Sequence, residues 1–190
     1  MKSHPTAIDL AAAEAAARDL LQALGADPSS PVLQDTPARM ARSYAELLTP
    51  QTFEMTTFPN DGGYDELVLV KDIPFHSLCE HHLLPFVGTA HVGYLPRERV
   101  LGLSKVARIV EMFARGLQTQ ERMTMQIAAW IEDNLAPKGV GVVLSASHSC
   151  LSLRGARSQG TTTVTSALKG LIRNSDRSRA EFLDLVNSRA

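Results

Sequence analysis

Apolar residues change their period along this chain, and the changes mark its elements. From Ile8 to Leu24 (IDLAAAEAAARDLLQAL) strong helix formers run unbroken, and Gly25 is placed to end the helix. Two prolines and two serines make the segment from Gly25 to Pro31 a linker. A second helix is expected from Thr36, with its hydroxyl as cap and Pro37 in the first turn, to about Leu48. The stretch from Pro50 to Gly63 reads as loop. From Glu66 the pattern turns to strand through Leu67, Val68, Leu69, Val70 and Ile73, with Pro74 as an interruption. A second strand spans Phe86 to Tyr94, stopped by Pro96.

Helical spacing returns in Ser104–Gly116 (Val106, Ile109, Val110, Phe113) and in Thr119–Leu135 (Met123, Ile127, Trp130, Ile131, Leu135). Gly139–Ser147 and the β-branched Thr161–Ser166 are strands again, and Ser178–Val186 is a closing amphipathic helix. The order is helices, then β-β-α-α-β-β, then a helical tail. It predicts an α+β fold, a four-stranded antiparallel sheet with two helices on one face. An N-terminal helical region (1–64) precedes this main domain (65–190). Such a sheet keeps two open edges, which invite pairing with another copy and predict a homo-oligomer.

Composition narrows the function. The chain of 190 residues is 44% hydrophobic and 21% charged, with net charge −1. That balance argues against a general nucleic-acid binder, which needs a basic face. No apolar run approaches the roughly 20 residues of a membrane span. Met1 to Leu10 lacks the apolar core of a secretion signal, so a cytoplasmic, reducing setting is expected.

The chemistry concentrates in Cys79-Glu80-His81-His82 and in Ser147-His148-Ser149-Cys150, which hold both cysteines of the chain and three of its six histidines. Cys79 and His82 are close enough for one tight turn to aim both at a single point, and Cys150 would add a third ligand from a distant segment. Two sulfurs and an imidazole suit Zn²⁺, and an unfilled fourth position marks a catalytic site. A Cys79–Cys150 disulfide is the competing reading, disfavoured in a reducing compartment. His76 and His91 alternate with apolar neighbours and read as structural.

No G-x-x-x-x-G-K-[ST] loop occurs, so any phosphate must be gripped by side chains. Lys105 and Arg108 share a helix face near the N-terminus opened by Ser104; Arg154, Arg157 and Arg39 are further candidates, each against an ordinary solvated role. Glu121, after Gln120, begins a helix. A carboxylate there either serves the helix dipole or accepts hydrogen bonds from a guanine's N1–H and amine. The chain has no H-E-x-x-H, and no P-C-x-x-C to complete a deaminase site.

The run Ser77-Leu78-Cys79-Glu80-His81-His82-Leu83-Leu84-Pro85-Phe86 resembles the signature of the GTP cyclohydrolase I family. So do Gly102-Leu103-Ser104-Lys105-Val106-Ala107-Arg108, Gln118-Thr119-Gln120-Glu121-Arg122, and Ser147-His148-Ser149-Cys150 followed by Arg154-Gly155. The resemblance runs in order from about Thr36 to the C-terminus. It implies the tunnelling fold (T-fold), closed into a ring that is commonly a homodecamer with active sites at subunit interfaces. It also implies conversion of GTP to 7,8-dihydroneopterin triphosphate with release of formate.

By position, the resemblance makes Cys79, His82 and Cys150 the zinc ligands, His148 the proton-transfer residue and His81 its assistant. Glu121 with Gln120 would hold the guanine edge, while Ser104, Lys105, Arg108, Arg154 and Arg39 would take the ribose and phosphates. Glu80 would support the ligands from behind. Gly116, Thr119 and Met125 depart from the usual pattern beside the guanine segment. A non-catalytic zinc or nucleotide-binding protein on the same scaffold is the alternative, and it requires a closed four-ligand site.

Overall fold

Alanine governs the first part of the chain. The computed structural model describes residues 7–188, and its contacts divide the chain into two units that meet at Thr49 and Pro50. In the first unit, helix α1 (Leu10–Ala23) is capped by Asp9, whose carboxylate accepts from Ala12 N–H at 3.0 Å. Gly25 follows at φ +84°, the left-handed turn expected after a helix end. Helix α2 (Thr36–Leu48) packs on α1 inside this unit, with Ala17 and Ala41 buried. Pro37 sits in its first turn as expected, but Thr36 is not its cap. Asp35 holds that position, and its carboxylate pairs with Arg39 at 3.1 Å instead of capping a backbone N–H. Residues 1–6, part of the segment read for a secretion signal, lie outside the described residues.

The second unit is built on one sheet. Strands β2 (Val68–Cys79), β3 (Pro85–Leu95), β6 (Gly139–His148) and β7 (Thr163–Lys169) are antiparallel neighbours in that order. The expected four-stranded antiparallel sheet is therefore present but incomplete as a description. Two-residue β5 (Leu117–Gln118) adds to β2 in parallel, giving a mixed sheet of five strands. Within the stretch read as loop, β1 (Thr57–Pro59) pairs with β4 (Arg99–Leu101); three-residue strands are too short to show a period. Pro74 does not interrupt β2. The strand is an edge there, where a missing N–H is tolerated. The irregularity falls earlier, between Val70 and Ile73, where Asp72 adopts φ +54°.

Helices α3 (Leu103–Ala114) and α4 (Gln120–Leu135) cover one face, as their spacing predicts. Val106, Ile109 and Val110 join Met123, Ile127 and Ile131 against Phe75, Phe86, Val92 and Leu144 in one buried cluster. The other face is covered too, which the sequence pattern did not announce. Short helices α5 (Ser149–Ser152) and α6 (Gly170–Asn174) flank β7, and α7 (Asp176–Asn187) lays Phe182 on that second face with Leu95, Val143 and Ile172. Its seat is a cross-strand glycine pair, Gly93 opposite Gly141; a Cβ at Gly141 would meet the Phe182 ring at 2.7 Å.

Two expectations follow. A Cβ at Gly88 would lie 2.0 Å from Ser145 O and 2.6 Å from Ala146 Cα, contacts with backbone that cannot swing away. Gly88→Ala should lower the urea-unfolding free energy by about 1–3 kcal/mol, in the range of overpacked cores. His91 is 9% exposed, accepts Asp72 N–H at 3.3 Å, and is held by burial below its ordinary pKa of 6.5. The unfolded chain therefore takes up a proton that the native chain resists. The stability due to neutral His91 is complete above pH 6.5 and declines as pH falls below it. Melting temperatures measured across that window should show a shallower acid decline in His91→Gln than in the parent.

Candidate metal centre and its surroundings

β2 ends at Cys79 and the chain reverses into β3 over residues 80–84. Backbone bonds close the turn: Cys79 N–H donates to Leu84 O at 2.9 Å and Leu83 N–H to Cys79 O at 2.8 Å. Leu83 takes φ +56°, uncommon for leucine and required here by the tightness of the reversal. Glu80 N–H donates to Gln118 O at 3.0 Å, so β5 braces the turn from the side. His81 Nδ1 and His82 Nδ1 then stand 3.8 and 4.0 Å from Cys79 Sγ. From the far end of β6, α5 delivers Cys150, whose Sγ lies 3.9 Å from Cys79 Sγ.

The ligand atoms of Cys79, His82 and Cys150 all fall within 4.8 Å of one another. A tetrahedral ion bound at zinc distances separates two sulfurs by about 3.8 Å and sulfur from nitrogen by about 3.6 Å. The 3.9 Å between the sulfurs fits that cage, and the 4.0 Å from Cys79 Sγ to His82 Nδ1 is a few tenths of an ångström wider than it. Both cysteines are free thiols. Burial pushes the Cys150 thiol above its ordinary pKa, Cys79 beside it pushes the same way, and Arg154 opposes them. A buried thiol and a half-buried one gain nothing from being neighbours unless a cation joins them, and a divalent ion reverses the local preference in favour of thiolate. His81 approaches Cys79 but does not belong to the three-atom group.

Arg122 ties this turn to helix α4. Its Nη2 donates to Glu80 Oε2 at 2.5 Å and to Leu117 O at 2.7 Å, and its Nε donates to Gln118 Oε1 at 3.0 Å. The other Glu80 oxygen lies 3.8 Å from His81 Nε2. In the sequence Arg122 stands out only as the end of the Gln118–Arg122 motif; the fold reveals its partner 42 residues away. Phe86 was missed in the same way. It pairs with His148 across β3 and β6, and the two rings stack with centroids 4.7 Å apart and planes 3° from parallel.

His148 Nε2 also meets Gln120 Oε1 at 2.8 Å. Burial lowers the imidazole's pKa from its ordinary value, with Glu121 pulling the other way. Gln120 is almost fully buried, whereas Glu121 is exposed in the first turn of α4. Ser104, Lys105 and Arg108 occupy the first turns of α3, and Arg154 is exposed after α5. Among the described residues, no hydrogen bond or ion pair joins Ser104, Lys105 or Arg108 to the metal group. Arg39 lies on α2 in the first unit.

Two grooves on the second unit, of about 500 and 370 Å³, include Lys169 and Arg173 in one and His76 and Glu111 in the other. Neither contains a residue of the metal group. Among the described residues, no helix is long and apolar enough to cross a membrane.

Comparison with known proteins bears on the same residues. The family description GTP cyclohydrolase I matches residues 13–187. GTP cyclohydrolase 1 of Aquifex aeolicus (strain VF5) is 49% identical over 180 residues, covering 95% of this chain and 98% of that protein. GTP cyclohydrolase 1 of Mycobacteroides abscessus is 52% identical over 192 residues, covering 96% and 93%. Among solved structures, the archaeosine synthase QueF-Like in the apo form is similar at TM-score 0.45 and 19% identity, over 55% of this chain and 93% of that one. That likeness is too slight to carry an argument. The sequence relatives, near half identity along nearly their whole length, decide the matter: the chain belongs to the GTP cyclohydrolase I family.

Proposed function

We propose that this chain converts GTP to 7,8-dihydroneopterin triphosphate and formate with a bound zinc ion, the first step of a pterin or folate route. The convergence of Cys79, His82 and Cys150 carries the reading, because it supplies three protein ligands and leaves a fourth position for chemistry. Zinc held there supplies a Lewis acid that makes hydroxide available near neutral pH. The non-catalytic alternative needs a closed fourth ligand, and the remaining nearby donor, His81, stands outside the group.

His148 moves protons as the imidazole ring of guanine opens and C8 leaves as formate. His81, exposed beside Cys79, orients water. Glu121 accepts from the N1–H and amine of guanine at the N-terminus of α4. Gln120 contributes there through its backbone N–H, since its side chain is buried. Ser104, Lys105 and Arg108 bind phosphates at the N-terminus of α3, where helix dipole and cations act together. Arg154 adds to them after α5, and Arg39 reaches a phosphate from another subunit.

The reading includes a T-fold ring, commonly a decamer, with sites completed between subunits. The strand order supports it, since β7 is an open edge and β5 covers only two residues of β2. Exposed Val87 and Val164 agree, as does the absence of the metal group from the two grooves described above.

The deciding experiment incubates zinc-loaded protein with GTP and follows formate and pteridine absorbance together; both should appear, and a chelator should abolish both. Loss of an outer partner at a metal site costs about 10–100-fold. Cys150→Ala removes a ligand outright, so it should lose zinc on dialysis and at least about 100-fold in kcat. Retention of both zinc and turnover would sink the assignment. Glu121→Gln removes a charged acceptor worth about 1.5–3 kcal/mol, so kcat/KM for GTP should drop about 10–100-fold with zinc content unchanged.

A further inference from the structure

Gln120 occupies a position where its amide has only one workable orientation. Its side chain is 1% exposed, and its Nε2 lies 3.1 Å from Leu144 O, 3.0 Å from Thr163 O and 3.1 Å from Thr165 Oγ1. Two of those neighbours are backbone carbonyls, which only accept. Turning the amide over would press Oε1 against both carbonyl oxygens and forfeit the N–H···O contacts they now receive. The nitrogen therefore belongs where it stands.

The threonines agree with this assignment. Thr124 Oγ1 donates to Gln120 O at 2.6 Å, so it receives the Thr165 hydroxyl proton at 2.7 Å. That leaves Thr165 Oγ1 free to accept from Gln120 Nε2. Every donor in the chain of contacts then has an acceptor.

The consequence falls on His148. Gln120 Oε1 carries no hydrogen, so the 2.8 Å contact requires a proton on His148 Nε2. Phe86, stacked face to face with the same ring, fixes its plane. We propose that Gln120 is a positioning residue for the reaction: its side chain holds His148 as the Nε2–H form, reserves Nδ1 for the reacting group, and does not touch the guanine. This deepens the proposed function, because it rests on His148 acting on substrate.

The test begins with the unaltered protein. Histidine is labelled with ¹⁵N, and the assembled, zinc-loaded protein is examined by solid-state NMR at mildly alkaline pH, with His148→Asn used to assign the signal. The neutral His148 ring should carry its proton on Nε2; a proton on Nδ1 would overturn the proposal. The second arm is Gln120→Met, similar in size and unable to accept the bond. It should lower kcat by about tenfold or more, a fraction of what a proton-transfer residue is worth, while KM for GTP stays within about threefold. Its spectrum should show His148 as a mixture of both neutral forms. A raised KM with kcat unchanged would make Gln120 a substrate contact and overturn the proposal. The spectrum of the unaltered protein needs no turnover: a protein inert to GTP would remove the proposed function, and the spectrum would still decide which nitrogen Gln120 holds.

Discussion

β3 pairs with β2 on one side and β6 on the other, and this double register brings residues far apart in sequence onto one ion-sized gap. Leu78 opposes Pro85, which sets the turn carrying Cys79 and His82; Phe86 opposes His148, which sets the end of β6 just before Cys150. A slip of one residue would shift Cys150 by about 3.3 Å and move His148 to the other face of the sheet. Gly88 guards the register, since any side chain there would collide with Ser145 and Ala146 on β6. The helix layer of α3 and α4 holds the sheet to that alignment, because a slip would expose Phe86, Ala90 and Val92.

Around this frame the site is braced by polar side chains with defined partners. Arg122 reaches from α4 to Glu80 in the metal turn, and Gln120 reaches from the same helix to His148 on β6. One helix N-terminus thus sets the spacing between the turn, the histidine and the exposed Glu121. Thr119 caps that helix by accepting Arg122 N–H at 3.3 Å. Its hydroxyl does at α4 what the sequence pattern predicts for Thr36 at the start of α2.

The sequence made the long elements legible because each had room for a period. Helices α2, α3 and α4 and strands β3 and β6 lie within a few residues of where apolar spacing placed them. The metal group was legible for a different reason: two cysteines flanked by histidines are rare enough to suggest one another. What stayed hidden was tertiary. β1, β4 and β5 are too short to show alternation, and Pro74 looked like a break because its edge position was unknown. Gln120 and Glu121 read as a pair, yet one is buried and the other exposed. The packing of Phe182 over Gly93 and Gly141 requires knowing which glycines face each other.

X-ray absorption at the zinc edge of the loaded protein, without substrate, addresses the metal centre directly. The account predicts two sulfurs at about 2.3 Å, one imidazole nitrogen at about 2.0 Å and one further light atom from solvent. A shell with a single sulfur, or with two imidazoles filling the coordination sphere, would contradict it.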